Sequence, residues 1–391
     1  MNIVFVAHSS FNENFVVGSH HLSRAMAAEG HTVWHIGPPV TPFHFLQASS
    51  RPSYRDRLRR SMLEPETMDG LTSMEPMALV PWQIARRFLA RGNLFVKTSN
   101  LVRRLRKVFA PGEIDILIID DPRFAGLEQK LKPRALFYRL TDFYAEMKGD
   151  PTILEAERHL LARCAAVIAT SQPVLQHALA LHPGLPSLLL ENGVDHAHFS
   201  TEVAEPEVLK AIPHPRVVYV GAIDFRFDVG LLDALAYRCP NMHFVMIGNG
   251  PLSGKIAELR RPNVHLLGPR PYREMPGYLQ FSDVGLLPFV DNVVNSGRSP
   301  MKLYEYGAAG LPALARRTRE LARREDRFVR LFSSEDEAVS ELEMLIDRWP
   351  DRRAIAQDCR DHGWKQKSAA LLEFISIWSD TNRRELPLST S

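Results

Sequence analysis

Cysteine is scarce in this chain of 391 residues: Cys164, Cys239 and Cys359 stand far apart, and no CxxC pair occurs. An odd, scattered set excludes a disulfide framework and a four-ligand zinc site, and it fits a reducing compartment. Long apolar runs are also missing. No stretch reaches the roughly 18 residues a membrane-spanning helix needs. The N-terminus has no basic region and no cleavage site; Met1-Asn2 runs straight into Ile3-Val4-Phe5-Val6-Ala7, which reads as a buried strand rather than a signal peptide. Charge of one sign is not in excess either, with 48 Lys and Arg against 45 Asp and Glu, so bulk charge does not make the chain a polyanion binder. What is present is 45% hydrophobic and 24% charged residues, the balance of a folded chain rather than a disordered one. The length suits two domains.

Short β-branched runs alternate with helical patterns in both halves. In the first, Ile3–Ala7, Thr32–Ile36, Ile114–Ile119, Ala135–Tyr138 and Ala166–Ala169 read as strands, and His20–Glu29 and Leu154–Cys164 as helices. A polar loop, His8–Asn14, follows the first strand. A Pro-rich link lies near 200–215. In the second half, Val217–Val220, His243–Ile247, Val264–Leu267, Val284–Leu287 and Ala313–Ala315 read as strands, with helices at Gly230–Tyr237, Leu252–Leu259, Tyr272–Phe281 and Pro300–Ala309. Alternation of this kind predicts two parallel sheets, each covered on both faces. Ligands in such sheets sit outside the carboxyl ends of the strands, and with two domains the natural site is the cleft between them.

Residues 40–110 are less regular. Between Arg51 and Lys107, thirteen Lys and Arg stand against five Asp and Glu, and from Pro76 to Gly112 there is no acid. Trp82 to Val108 interleaves these bases with apolar residues. It reads as a surface for an anionic membrane, as a nucleic-acid site, or as helix with one packed and one solvated face.

The segment around Ser299 carries the most chemistry. Ser299-Pro300 precedes a helix, with Pro in the first turn where a missing N–H costs nothing. The helix start offers free N–H groups and a positive dipole end to a diphosphate. Lys302 adds a cation there, Arg298 lies just outside, and Glu305 follows one turn on, on the same face. Gly221 and Gly248 end consecutive strands, where glycine permits close backbone approach to a ligand. Asp142 follows a strand of the first domain, at its carboxyl end. It reads as a general base or as a helix N-cap. The neighbours Asp120-Asp121 read as a solvated strand end, and no metal site is expected.

Six stretches together, Glu191-Asn192-Gly193-Val194-Asp195, Tyr219-Val220-Gly221, Met246-Ile247-Gly248-Asn249-Gly250-Pro251, Asn263–Gly268, Tyr278–Val284 and Ser299–Tyr306, resemble in order and spacing the nucleotide-sugar glycosyltransferases of the GT-B fold. The variant is most similar to bacterial enzymes of cell-surface polysaccharide assembly, of the teichuronic-acid type. It also resembles the xanthan glucuronosyltransferase, through the Met-Lys-Leu block and Tyr138-Arg139-Leu140-Thr141-Asp142. The resemblance implies an α/β GT-B architecture, two Rossmann-like doubly wound domains facing a cleft. Residues 1–200 would bind acceptor and 201–375 the donor, with a tail, 376–391, that returns to the first domain. It implies donor contacts from Gly221, Ile223, Arg226, Gly248, Arg270, Ser299, Met301, Lys302, Glu305 and Tyr306. Lys302 would meet the diphosphate, Glu305 the ribose or sugar, and backbone beside Arg270 a uracil edge. Asp142 would be the catalytic base, with His20 and Arg139 on the acceptor side. The donor would be a UDP-sugar and the acceptor a glycan or polyprenyl-linked saccharide. No cofactor, metal or nucleic acid is expected, and the enzyme would sit in the cytoplasm against an anionic membrane surface. Two departures stand out. Common retaining members carry Lys-Gly after the Gly221 loop, where this chain has Arg226, and a Glu at the position of Gly297. The second leaves room for a non-catalytic sugar-nucleotide-binding or scaffold subunit of an envelope complex.

Overall fold

The structure is a computed structural model, and it describes residues 1–11, 16–47, 52–324, 326–348 and 351–385. Part of the expected polar loop, Asn12 to Asn14, and the last residues of the expected tail, 386–391, lie outside the described residues. The chain divides into two compact units: Met1–Glu191 with Lys367–Ser391, and Asn192–Gln366. The boundary therefore falls at Glu191 rather than at 200, because Asn192 and Val194 bond within the second unit, to Ser299 and to His362. The return to the first unit begins at Lys367 rather than 376. The apolar stripe of the helix Trp364–Glu385 explains the earlier return: Leu371 and Ile375 are fully buried, and Phe374 meets the Phe137 ring edge-on at 6.5 Å.

The first unit holds an eight-stranded sheet. Its strands are β1 (Asn2–Val6), β2 (Thr32–Ile36), β3 (Glu66–Met68), β4 (Leu71–Met74), β5 (Ile116–Ile119), β6 (Ala135–Leu140), β7 (Ala166–Ala169) and β8 (Ser187–Leu189). They run in the order β3-β4-β2-β1-β5-β6-β7-β8. All neighbours are parallel except β3 and β4, which form an antiparallel hairpin at the edge. β1, β5, β6 and β7 read as continuous apolar runs because helices cover both faces, and nearly every residue in them is buried. The second unit has six parallel strands: β9 (Arg216–Val220), β10 (His243–Ile247), β11 (Val264–Gly268), β12 (Val284–Leu287), β13 (Ala313–Arg316) and β14 (Val329–Phe332). Their order is β11-β10-β9-β12-β13-β14.

Both orders reverse once. In the first unit the chain builds outward from β1 through β2 on one side, then returns to build from β5 on the other. In the second it builds from β9 through β10 and β11, then from β12. At each reversal, adjacent loops at the carboxyl ends leave in opposite directions and open a crevice. The loops after β1 and β5, and those after β9 and β12, are therefore where ligand-handling side chains belong.

The basic stretch from Trp82 breaks into short turns of helix, Trp82–Ala85, Arg86–Arg91, Leu94–Lys97 and Leu101–Leu105. Trp82, Phe95, Val96, Leu101 and Leu105 are buried in the first unit's core, while Ile84, Phe88 and Val108 are exposed beside the arginines. The packed-and-solvated reading thus describes its fold.

Candidate functional site

In the second unit, the loop after β9 is locked to the loop after β10 through backbone. The Ile223 N–H donates to the Asn249 carbonyl at 3.0 Å, and the Leu252 N–H donates to the Ile223 carbonyl at 3.0 Å. A Cβ on Gly248 would lie 1.9 Å from the Gly221 carbonyl oxygen, and one on Gly250 would lie 2.3 Å from that of Ile223. The close approach that these glycines permit is thus between the two loops. Ile223 needs correction as a donor contact: its side chain is fully buried and both its backbone groups are taken. Tyr306 needs the same correction. It is fully buried, accepts from the Val220 N–H at 3.2 Å and donates to the Leu286 carbonyl at 3.3 Å, so it ties β9 to β12 beneath the site.

Above these ties lies a charged group of side chains. Arg226 clasps Asp224 through Nε at 2.8 Å and through Nη2. Burial opposes ionisation of Asp224, but this guanidinium holds its carboxyl below the usual range. Arg298 acts electrostatically on both Asp224 and Tyr219. The helix Met301–Ala308 starts after Pro300, which supplies no N–H. Its first turn is anchored from the unit's own start: Asn192 Nδ2 donates to the Ser299 carbonyl at 2.7 Å, and the Asn192 N–H donates to Ser299 Oγ at 3.3 Å. So two of the motifs read in the sequence, 107 residues apart, meet here. Lys302 Nζ donates to Glu305 at 3.1 and 2.8 Å; the lysine side chain is 27% exposed and the glutamate only 2%. The ammonium therefore faces outward on a carboxylate base. Met301 is half-buried beside it. Arg270 is exposed after β11, where it lines a cavity of about 470 Å³ with Arg273, Tyr278, Val203, Pro206 and Val208. In chemical terms, the second unit carries here a helix N-terminus, an ammonium held on Glu305, a guanidinium held on Asp224, and Arg298, which acts on that same carboxylate; helix N–H groups and fixed cations are the groups that suit an oxyanion.

In the first unit, β5 ends in Asp120-Asp121, and each acid has its own arginine. Arg139 Nη1 bonds Asp120 at 2.8 Å with both side chains buried, and Arg123 forks onto Asp121 with Nε at 2.9 and 3.0 Å. Arg139, expected on the acceptor side, is thus 2% exposed and turned onto Asp120. Burial pushes the Asp120 carboxyl up to about 7, with Arg139 pulling the other way. Among the described residues, one Asp120 oxygen, Oδ1, has no hydrogen-bond partner. Among the described residues no three His, Cys, Asp or Glu side chains are placed to hold a metal ion.

A residue the sequence did not single out completes this crevice. His8 follows β1, and its Nδ1 lies 3.9 Å from Asp120 Oδ2 and 3.3 Å from the Tyr144 hydroxyl. Tyr144 shares a hydrogen bond of 2.8 Å with Thr141 Oγ1, which reaches Asp142 Oδ2 at 3.4 Å. A chain of two hydroxyls thus joins His8 to Asp142, and each hydroxyl can donate or accept. Burial lowers His8 to about 4, so it is neutral near pH 7, while the Asp142 and Asp121 charges pull the other way. Asp142 itself is half-buried at the end of β6.

His20, expected to face acceptor, is 1% exposed. Its Nδ1 accepts from the Val17 N–H at 2.8 Å, which leaves Nε2 to donate to the Ser10 carbonyl at 2.9 Å. It stacks on His35 at 5.1 Å, and His35 in turn lies 3.4 Å from the Ser9 carbonyl. These rings hold the loop after β1 in place. Burial lowers His20 to about 4 and holds His35 well below the ordinary histidine value. A histidine whose folded value lies below its unfolded value, about 6.5, gives stability that is present above that pH and lost on acidification toward the folded value. Asp120, with its raised value, acts in the opposite sense. The wild type should therefore be compared with His20→Gln by urea unfolding from pH 7.5 to 4.5. The loss of stability on acidification should shrink in the variant, and an unchanged slope would show that His20 does not drive it.

Residues 229–373 match a family described as glycosyl transferase-like. A Bacillus subtilis (strain 168) protein named for teichuronic acid biosynthesis, the glycosyltransferase TuaH, is 26% identical over 235 residues. That match spans 56% of this chain and 59% of the relative's length. Among solved structures, sucrose-phosphate synthase from Thermosynechococcus elongatus matches with a TM-score of 0.74 at 15% identity, over 97% of this chain and 99% of that one. Anabaena HepE, solved in complex with UDP and glucose, matches with a TM-score of 0.67 at 15% identity, over 96% and 99%.

Proposed function

From a chain that carries a glycosyltransferase-family domain over residues 229–373 in a GT-B fold, we infer a glycosyltransferase of polysaccharide biosynthesis. It moves a sugar from a UDP-sugar to a saccharide acceptor. The observation that carries the reading is the start of the helix Met301–Ala308. There Lys302 stands outward on Glu305, Asn192 secures Ser299, and Arg226 and Arg298 both act on Asp224 in the loop after β9. UDP in HepE supports the choice of nucleotide.

In this reading the second unit holds the donor and the first holds the acceptor. Asp142 takes the proton of the acceptor hydroxyl. The freed oxygen attacks the anomeric carbon, and the bond to the diphosphate breaks with inversion. UDP leaves with the electron pair, and Lys302 with the helix N-terminus meets its charge. Glu305 exchanges part of its hold on Lys302 for a donor hydroxyl. The reading assigns the leaving group's charge to these groups and includes no cofactor. The acceptor is a glycan or polyprenyl-linked saccharide at the inner face of the membrane. The exposed Ile84 and Phe88, beside Arg86 and Arg87, suit an anionic lipid surface. No helix among the described residues is long and apolar enough to cross a membrane.

Isothermal titration with UDP and GDP tests the donor assignment. UDP is expected to bind and to be favoured over GDP. Absence of binding by either nucleotide at millimolar concentration overturns it.

A further inference from the structure

We propose that Asn295 is a positioning residue of the donor site: it fixes the segment that leads into the helix Met301–Ala308, and so sets where the leaving diphosphate meets that helix start. This rests on the reading of the second unit as the one that binds donor, and it names a residue on which that site's geometry depends. Asn295 lies after β12, in a single turn of helix, Val293–Ser296, and is fully buried.

Its polar groups reach in three directions. Side-chain Nδ2 donates to the Arg226 carbonyl at 3.0 Å and to the Val290 carbonyl at 2.8 Å. Arg226 belongs to the loop after β9 and Val290 to the loop after β12, so one amide joins the two loops that flank the reversal in strand order. The Asn295 backbone carbonyl accepts from the Arg298 N–H at 3.2 Å, directly before Ser299-Pro300. The Asn295 N–H donates to Asn292 Oδ1 at 2.9 Å, which closes the short turn from behind. The partners also set the amide's orientation: turned over, it would press its oxygen against two carbonyl oxygens.

Two further observations separate this role from simple packing. Among the described residues, Asn295 Oδ1 is buried without a hydrogen-bond partner. An orphan acceptor of that kind weakens the fold, and an apolar side chain of similar outline would avoid it. What the asparagine supplies in return is the pair of bonds from Nδ2. The second observation is Gly297, two residues on. Glycine has the freest backbone of any residue, so the course of this segment has to be held from both ends. Asn295 holds one end, and Asn192, through the Ser299 carbonyl at 2.7 Å, holds the other. A helix N-terminus acts on charge only near its first turn, so a small shift of this segment moves its N–H groups off the diphosphate. Two backbone bonds between the loops do not depend on the Asn295 side chain: Val290 N–H to the Arg226 carbonyl at 2.9 Å and Asp228 N–H to the Pro288 carbonyl at 2.8 Å. The unit should therefore stay folded when that side chain is replaced.

The test uses the whole protein as wild type, Asn295→Ala and Asn295→Leu, the last keeping a branched outline. The probes are UDP and uridine, followed by ligand-observed NMR, with urea unfolding as the control. UDP should bind both variants about tenfold more weakly, while uridine, which lacks the diphosphate, should bind as before. The kcat for transfer should fall by about 10²-fold, the scale of a misplacement of about 1 Å. Equal losses for UDP and uridine overturn the proposal, since Asn295 then serves the fold at large. Hydrogen exchange on the wild type needs no variant: the Arg298 N–H should exchange slowly without nucleotide, and rapid exchange overturns the proposal as well. If the wild type binds UDP and both variants match it, the proposal alone fails. If the wild type binds no UDP, the donor reading fails and takes the proposal with it.

Discussion

Asp142→Asn is expected to lower sugar transfer by about 10²- to 10⁴-fold, the range general-base catalysis supplies, with little change in UDP affinity. The amide keeps the shape and the hydrogen bond from Thr141 but cannot take a proton at neutral pH. Asp142 is half-buried at a strand end and is not in the cluster of core side chains, so the fold should tolerate the exchange. The measurement is kcat for transfer to an acceptor, with urea unfolding and UDP titration as controls. A variant that transfers at the wild-type rate removes Asp142 from the chemistry. Wild-type protein that binds UDP yet neither transfers nor hydrolyses a UDP-sugar would instead favour the scaffold-subunit reading that Gly297 leaves room for.

Lys302→Ala has two separable effects. Losing one preorganised donor from a leaving-group site costs about 10²- to 10³-fold in kcat. The same change strips Glu305 of its counter-charge at a position where the carboxylate is 2% exposed. Leaving such a group without its hydrogen-bonding cation costs roughly 1–3 kcal/mol of stability. Adding Glu305→Gln to Lys302→Ala should recover most of the stability, because a neutral amide tolerates burial better, and should leave turnover low. Urea unfolding and steady-state kinetics on both variants check this. If the double variant regained turnover together with stability, Lys302 would serve the fold and not the leaving group.

How far these sites were legible differs from residue to residue. Five of the second unit's strands were readable as short apolar runs, of which Phe244–Ile247, buried throughout, is one, whereas β14 was not read, since Arg330 is exposed and interrupts it. The hairpin of β3 and β4 was not read, since Glu66–Met68 is exposed and carries no apolar pattern. Its turn did leave a signal in Asp69-Gly70, both at positive φ. Tyr306 looked like a site residue because it follows Glu305, yet neighbours on a helix point about 100° apart. If Glu305 faces the crevice, Tyr306 must face inward. His8 gave no local sign at all: it gains its meaning from Asp120 and Tyr144, brought beside it by two crossovers. Lys302 was legible because its partners, the helix start and Glu305, are its neighbours in the chain.

The helix from Trp364 carries a consequence for biosynthesis. Phe374 packs on Phe137 within the first unit, and Leu371 and Ile375 are buried there too. On the ribosome, residues 1–191 emerge first but cannot close their own core until more than 170 further residues have followed, a count the unit bounds set. The second unit, made of one uninterrupted stretch, is free to mature ahead of the first, so the order of synthesis and the order of completion are reversed.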